Sequence, residues 1–193
     1  MPAYHSLYNP ESADGVDAGA RIVGNVALLP FASKLRGPAP APADPSLPDI
    51  IDESLSLFRA NSLFRNFEIK GSGDRVLIYL ILFIGDCLSR IAAARTWTHQ
   101  DALKHLTTHA IDHFALPGEP GFPMNQVFQG AAAGDRGGSD ALRAYLSHAR
   151  QELVIRLLER HVYNPADAST AGGTKPSKWW MAFQKRNFMG KKL

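Results

Sequence analysis

Asp74-Arg75-Val76-Leu77-Ile78-Tyr79-Leu80-Ile81-Leu82-Phe83-Ile84-Gly85-Asp86-Cys87-Leu88-Ser89-Arg90-Ile91-Ala92-Ala93-Ala94-Arg95 decides how this chain folds. The run Val76–Ile84 could be a buried strand, but Leu88, Ile91 and the alanines carry an i, i+3, i+4, i+7 rhythm far past strand length. The spacing predicts one helix over residues 74–95. Its first half is apolar all round, so it must be enclosed by other elements or by lipid. The unbroken run is about half of the ~18 to 20 residues a membrane span needs, and Asp86 and Arg90 follow at once, which favours enclosure by the protein itself. Gly85 costs a helix interior about 1 kcal/mol against Ala, and a close helix crossing is the expected reason for it.

Working outward, Gly71-Ser72-Gly73-Asp74 breaks the preceding element and is the expected N-cap of the central helix. Before it, Pro48-Asp49 opens a helix of which Ile51, Leu55 and Phe58 share one face. Leu63, Phe64, Phe67 and Ile69 continue as a hydrophobic connection whose alternation permits a short strand. Residues 1–48 read as an extended arm lying over the surface, punctuated by Gly15, Gly19 and Gly24. It is anchored by Asn25-Val26-Ala27-Leu28-Leu29-Pro30-Phe31 and stiffened by Pro38, Pro40, Pro42, Pro45 and Pro48.

After the apolar stretch, Thr98 with Asp101 forms a capping box for a helix carrying Leu103, Leu106, Ala110 and Ile111. Pro117, Pro120 and Pro123 then stiffen a loop. Gly130 to Gly138 reads as a mobile connection. Ser139-Asp140 is the expected cap of a long amphipathic helix that buries Leu142, Tyr145, Leu146, Ala149, Leu153 and Leu157. Its Arg143, Arg150, Glu152, Arg156, Glu159 and Arg160 are expected mostly outside. Asn164-Pro165 ends that helix, and Ser177 caps a last one over 178–189. The organisation is therefore a single helical domain over 1–193: arm 1–48, helical body 49–163, linker 164–176 and a basic aromatic segment 177–193.

Length and composition bound the function. A chain of 193 residues with 45% hydrophobic and 20% charged residues can bury a substantial core. Its single cysteine, Cys87, excludes an intramolecular disulfide and a zinc site built on paired cysteines, and points to a reducing compartment. The first residues lack a basic and apolar leader pattern, leaving cytosol or nucleus. The net charge of +3 conceals an asymmetry: residues 175–193 hold six basic residues and no acid, leaving 15 of the 21 basic residues against all 18 acidic ones in residues 1–174. Such a tail suits an acidic partner surface.

Catalytic machinery is not expected. The chain has no nucleophile elbow, no phosphate-binding glycine loop with its lysine and no dinucleotide fingerprint. Burial raises the pKa of a thiol, so Cys87 reads as inert. His105, His109 and His113, spaced by four with His99 nearby, could line one helix face and share a transition metal. No carboxylate stands where a zinc protease keeps its base, and His113 falls where the helix should fray. The expectation is a solvated or half-buried histidine face, with no metal and no cofactor.

The densest signal is Lys175-Pro176-Ser177-Lys178-Trp179-Trp180-Met181-Ala182-Phe183-Gln184-Lys185-Arg186-Asn187-Phe188-Met189-Gly190-Lys191-Lys192-Leu193. A short helix would put Trp179 with Phe183, and Trp180 with Gln184, at i, i+4. Either the indoles dock the tail on its own domain, or Lys178, Trp179, Trp180, Phe183, Lys185 and Arg186 form a binding element. Such an element could anchor a protein interface, lie on an anionic membrane or stack on single-stranded nucleic acid.

Ala3-Tyr4-His5-Ser6, Asn25-Val26-Ala27-Leu28-Leu29-Pro30, Gly37-Pro38-Ala39-Pro40, Asp74-Arg75-Val76-Leu77-Ile78-Tyr79, Pro117-Gly118-Glu119-Pro120-Gly121-Phe122-Pro123, Arg143-Ala144-Tyr145-Leu146 and Lys175-Pro176-Ser177-Lys178-Trp179-Trp180 occur in an order that resembles the subunit 3 family of the actin-related protein 2/3 complex. The likeness spans nearly the whole chain and departs at 7–21, 40–47, 96–113 and 130–139, so the histidines lie outside it. The resemblance implies an all-α fold with a central helix surrounded by others. It also implies a non-catalytic cytoplasmic subunit of the actin cytoskeleton that supports nucleation of branched filaments. The implied partners are the other subunits, chiefly the third actin-related protein, and the mother filament; nucleic acid and membrane insertion are not implied.

Overall fold

The structure is a computed structural model that describes residues 4–9, 19–64, 66–94, 96–186 and 188–193. Of the sequence-based expectations, Arg95 and the arm residues 1–3 and 10–18, Gly15 among them, lie outside the described residues. The chain is mostly helical. A two-stranded antiparallel hairpin, β1 (Arg21–Val23) and β2 (Val26–Leu28), precedes α1 (Ile50–Asn61), α2 (Ser72–Ala94), α3 (His99–Ala110), α4 (Arg136–Leu157) and a four-residue α5 (Lys178–Met181).

The apolar stretch is the central helix. Every residue of α2 from Val76 to Ile84 is buried, together with Cys87, Leu88 and Ile91. Helices α1 and α4, strand β2, α5 and the turn at 188–190 pack directly around it. Although α2 is long and apolar enough to cross a membrane, two-thirds of its most apolar window is covered by the rest of the chain. Gly85 has no close helix crossing to explain it: a Cβ there would stand 3.8 Å from the Arg186 carbonyl, an ordinary contact. The crowded glycine of this helix is Gly73, where a Cβ would fall 2.3 Å from the Tyr8 carbonyl.

The hairpin was not legible in sequence. Ile22 is exposed and β1 lacks the alternation that marks a strand, whereas all of β2 is buried, with Leu29 and Phe31 following it into the core. Gly24, at φ +62°, supplies the first central residue of the two-residue turn. Asn25 beside it ties the hairpin to residues 127–129, its Nδ2 donating to the Val127 carbonyl and its Oδ1 accepting from the Gln129 N–H at 2.8 Å. The strand permitted near Phe67 and Ile69 does not form; Phe67 is buried as an irregular segment.

The starts of α1 and α3 follow local chemistry. Asp49 caps α1 and Thr98 caps α3, each in a reciprocal capping box, with Asp52 and Asp101 respectively. By contrast, α4 starts a turn earlier than Ser139-Asp140, capped by Asp135 through the Gly138 N–H. Part of the glycine-rich connection is thus helical, because a good cap and the helix behind it outweigh the low propensity of two glycines. The last turn of α4 widens to a π-turn, Leu158–Val162, before Asn164.

Asp74 is likewise not an N-cap, since α2 begins at Ser72. Fully buried, its carboxylate accepts from the Ser6 and Lys70 N–H groups at 2.7 and 2.8 Å and from the Asn9 amide at 3.1 Å. Glu53 accepts from the Ser6 hydroxyl and the Leu7 N–H, and Asn61 pairs with both backbone groups of Tyr4. Three polar side chains thus stand in for a neighbouring strand at the Tyr4 N–H and carbonyl and at the Ser6 and Leu7 N–H groups. Burial raises the Glu53 pKa above its ordinary value, against those donors.

Three side chains expected outside α4 are inside. Arg150, Glu152 and Arg156 are each less than a tenth exposed. Arg150 donates to the Ala110 carbonyl at 2.8 Å and the Tyr79 hydroxyl at 2.6 Å, with its guanidinium over the Phe114 ring. Arg156 binds Glu152 at 2.7 Å and Asp49 at 2.9 Å and also donates to the Ala32 carbonyl. Helical periodicity placed these residues away from the leucine stripe; the segment 32–39 and the end of α3 cover that flank.

Candidate protein-binding segment

The C-terminal segment begins at a tightly bonded corner. The Ser177 N–H donates to the Val162 carbonyl at 2.7 Å, and its hydroxyl donates to Asp167 at 2.5 Å. Ser177 therefore precedes α5 without capping it by its side chain. That hydroxyl, with the Ser169 N–H, holds the half-buried Asp167 carboxyl below its ordinary pKa.

The helix expected over 178–189 is confined to Lys178–Met181. Turns follow, and residues 188–190 form a separate short turn in which Met189 adopts φ +52°. The physical reason is spacing. Trp180 and Phe183 both meet Phe58, and Phe188 meets Phe67 at 5.7 Å between ring centroids. Continuous helix would rotate Phe188 off the face shared by Trp180 and Phe183. Gln184 is fastened between them by its carbonyl, which accepts from the Ser89 hydroxyl of α2 at 3.0 Å.

The candidate residues divide accordingly. Trp180, 6% exposed, lies between Phe58, His161 and the Arg59 guanidinium, and Phe183 is half-buried. Trp179 is 59% exposed with the Lys178 ammonium 4.9 Å from its ring centre. Lys178, Lys185 and Arg186 are exposed, and no ion pair among the described residues engages them. The pairing expected from i, i+4 spacing is replaced by Trp180 with Phe183 facing inward. Of the six candidates, Lys178, Trp179, Lys185 and Arg186 are exposed.

The histidines do not converge. His105 stacks on Trp97, while His109 is buried against Phe83 with its ring nitrogens facing Asp86 and Asp112. His113 lies beyond the end of α3, beside Arg143. Among the described residues no three metal-ligating side chains are grouped to hold an ion. Burial first, and the Asp86 charge next to it, raise the Cys87 thiol well above its ordinary pKa. Sequence reading missed Leu63, Phe64 and Met189, which the fold sets beside Lys185 and Arg186 around one groove. No local pattern pairs those positions, because they come from two segments more than a hundred residues apart.

Comparison with known proteins is unambiguous in extent. The family model described as "P21-Arc: ARP2/3 complex ARPC3 (21 kDa) subunit" matches residues 1–193. Actin-related protein 2/3 complex subunit 3 of Saccharomyces cerevisiae is 51% identical over 195 residues, covering all of both chains. The Schizosaccharomyces pombe protein of the same name is 45% identical over 193 residues, again covering both chains fully, and that of Dictyostelium discoideum is 45% identical over 190 residues, 98% of this chain and 99% of its own. With its enclosed apolar helix, its inward-folded aromatic tail and this full-length likeness, the chain belongs to the P21-Arc family, the 21-kDa subunit of the ARP2/3 complex.

Proposed function

We propose that this chain is a structural subunit of the actin-related protein 2/3 complex in the cytoplasmic actin cytoskeleton. In this reading its helical body docks on an actin-related subunit, chiefly the third actin-related protein, and its exposed basic segment contributes to the contact with the mother filament. The observation that carries the reading is the full-length family match. The form of the tail supports it further: Trp180, Phe183 and Phe188 fasten the segment to the body, leaving Lys178, Trp179, Lys185 and Arg186 on a preorganised surface. A segment already ordered loses less conformational entropy on binding. Exposed lysine and arginine with an exposed indole suit an acidic protein surface.

The test has two readouts. A tagged chain coexpressed with the other subunits should co-purify with them in stoichiometric amount. Complex carrying Lys178→Glu, Lys185→Glu and Arg186→Glu should assemble and form fewer branches in a purified actin assay. Failure to co-purify would overturn subunit membership, and unchanged branching would remove the basic segment from the filament contact.

A further inference from the structure

A groove of about 480 Å³ opens between residues 4–8 and the first turns of α1, with Tyr4, Leu7, Tyr8, Pro48 and Leu57 as its apolar lining. Tyr4 is 51% exposed and Leu7 72%, and Leu47, next to Pro48 in the chain, is 62% exposed. Singly such residues are ordinary on a surface, but gathered around one concavity they mark a binding site. The walls are fixed before any ligand arrives. The Tyr8 hydroxyl donates to the Pro48 carbonyl, and Glu53 accepts from the Ser6 hydroxyl at 2.6 Å and the Leu7 N–H at 2.8 Å.

The charge here is opposite to that of the C-terminal segment. Asp52 and Glu53 line the groove, and among the described residues no lysine or arginine does. His5, also in the lining, faces Asp74 at 2.9 Å. The network behind adds Asp49, Glu152 and, through Ser6, Asp74, against the Arg156 and Arg160 guanidiniums. Five acids thus meet two guanidiniums and one histidine. The amino end of α1 offsets about half an elementary charge more. The remaining negative charge attracts a cation to the mouth and repels phosphate-bearing ligands, nucleic acid and anionic lipid alike.

We infer that this groove binds an extended proline-rich segment of another protein with a lysine or arginine beside the prolines. The pyrrolidine rings rest on Tyr4, Leu7, Tyr8 and Pro48, and the cation faces Asp52 and Glu53. The site goes beyond the subunit reading, since none of its lining residues belongs to the C-terminal segment. The backbone of residues 4–7 leaves little for an added strand: the Tyr4, Ser6 and Leu7 N–H groups donate to Asn61, Asp74 and Glu53, and the Tyr4 carbonyl accepts from Asn61. A polyproline helix needs no such ladder, because it has no internal hydrogen bonds and docks its side chains on aromatic-lined grooves. Tyrosines suit it, as flat rings offer large contact area at little entropic cost. The surplus of carboxylates selects the flanking base.

The experiment uses complex assembled with the natural or an altered chain, titrated into a labelled proline-rich peptide flanked by arginines while anisotropy is followed. Replacing the arginines of the peptide with glutamates, or its prolines with alanines, should weaken binding about tenfold each. Tyr4→Ala with Leu7→Ser in the chain should weaken binding of the original peptide about tenfold or more. The altered chain should still enter the complex, because neither side chain is in the core. Binding that ignores the prolines or the arginines, or that the paired change leaves unmoved, overturns the inference. Tighter binding of an amphipathic helical peptide or of phosphatidylserine vesicles overturns it equally. Exclusion of the altered chain from the complex would make the groove a contact between subunits and overturn it as well. Failure of the natural chain to enter the complex counts against the subunit reading, and the same titration with the full-length chain then decides the groove.

Discussion

Trp180 lies parallel to Phe58, ring centroids 5.7 Å apart and planes 5° from each other. This contact joins the last segment of the chain to α1. Its neighbour in sequence, Trp179, points to solvent, so two adjacent indoles have opposite roles.

Replacing each in turn should separate those roles. Trp180→Ala removes a large buried side chain and should cost about 3 to 5 kcal/mol. Trp179→Ala should stay within about 0.5 kcal/mol. Chemical denaturation of the purified chain measures both; equal costs would contradict the inward and outward assignment.

Gly85 and Gly73 offer a second contrast within α2. A Cβ at position 85 meets only ordinary contact, so Gly85→Ala should leave the fold intact and add up to about 1 kcal/mol of stability. At position 73 the same change drives a methyl into the Tyr8 carbonyl and should destabilise the chain. Thermal unfolding of the two variants checks the order, which fails if Gly73→Ala proves the milder.

Acid sensitivity should come in part from two histidines. Burial lowers the His148 pKa, outweighing the nearby Leu35 backbone and the Glu152 charge. Burial lowers that of His161 too, joined by the Arg160 and Arg59 charges and opposed by Asp52. A histidine depressed in the folded state binds its proton more readily when unfolded. Its contribution to stability is therefore full above its unfolded pKa of about 6.5 and is lost as pH falls below that value towards the folded pKa. His148→Gln with His161→Gln should flatten the fall of melting temperature between about pH 6.5 and 5. An unchanged slope would show that these side chains do not titrate differently on folding.

The buried Arg156 cluster should tolerate paired changes better than single ones. Arg156→Met leaves Asp49 and Glu152 buried without their cation and should cost about 3 to 5 kcal/mol. Adding Asp49→Asn, which keeps an N-cap oxygen for α1, and Glu152→Gln should recover part of that loss. A double-mutant comparison by urea denaturation decides it, and strict additivity would contradict the cluster.

Sequence alone determined that the stretch opening at Asp74 forms a helix needing enclosure, since nine consecutive apolar side chains with a continuing helical rhythm leave no face for water. It also determined where α1 opens, at Pro48-Asp49, and the cap of α3, because a capping box is written in residues three apart. The concentration of aromatic and basic residues in 175–193 was legible for the same reason: it is a local fact. Only the tertiary structure decided which indole is buried, that Arg150 and Arg156 lie inside, and that Asp74 serves residues 4–9 instead of capping its own helix. It alone set Leu63 beside Lys185. Those outcomes depend on contacts between segments distant along the chain, whereas periodicity and capping carry information only across a few residues.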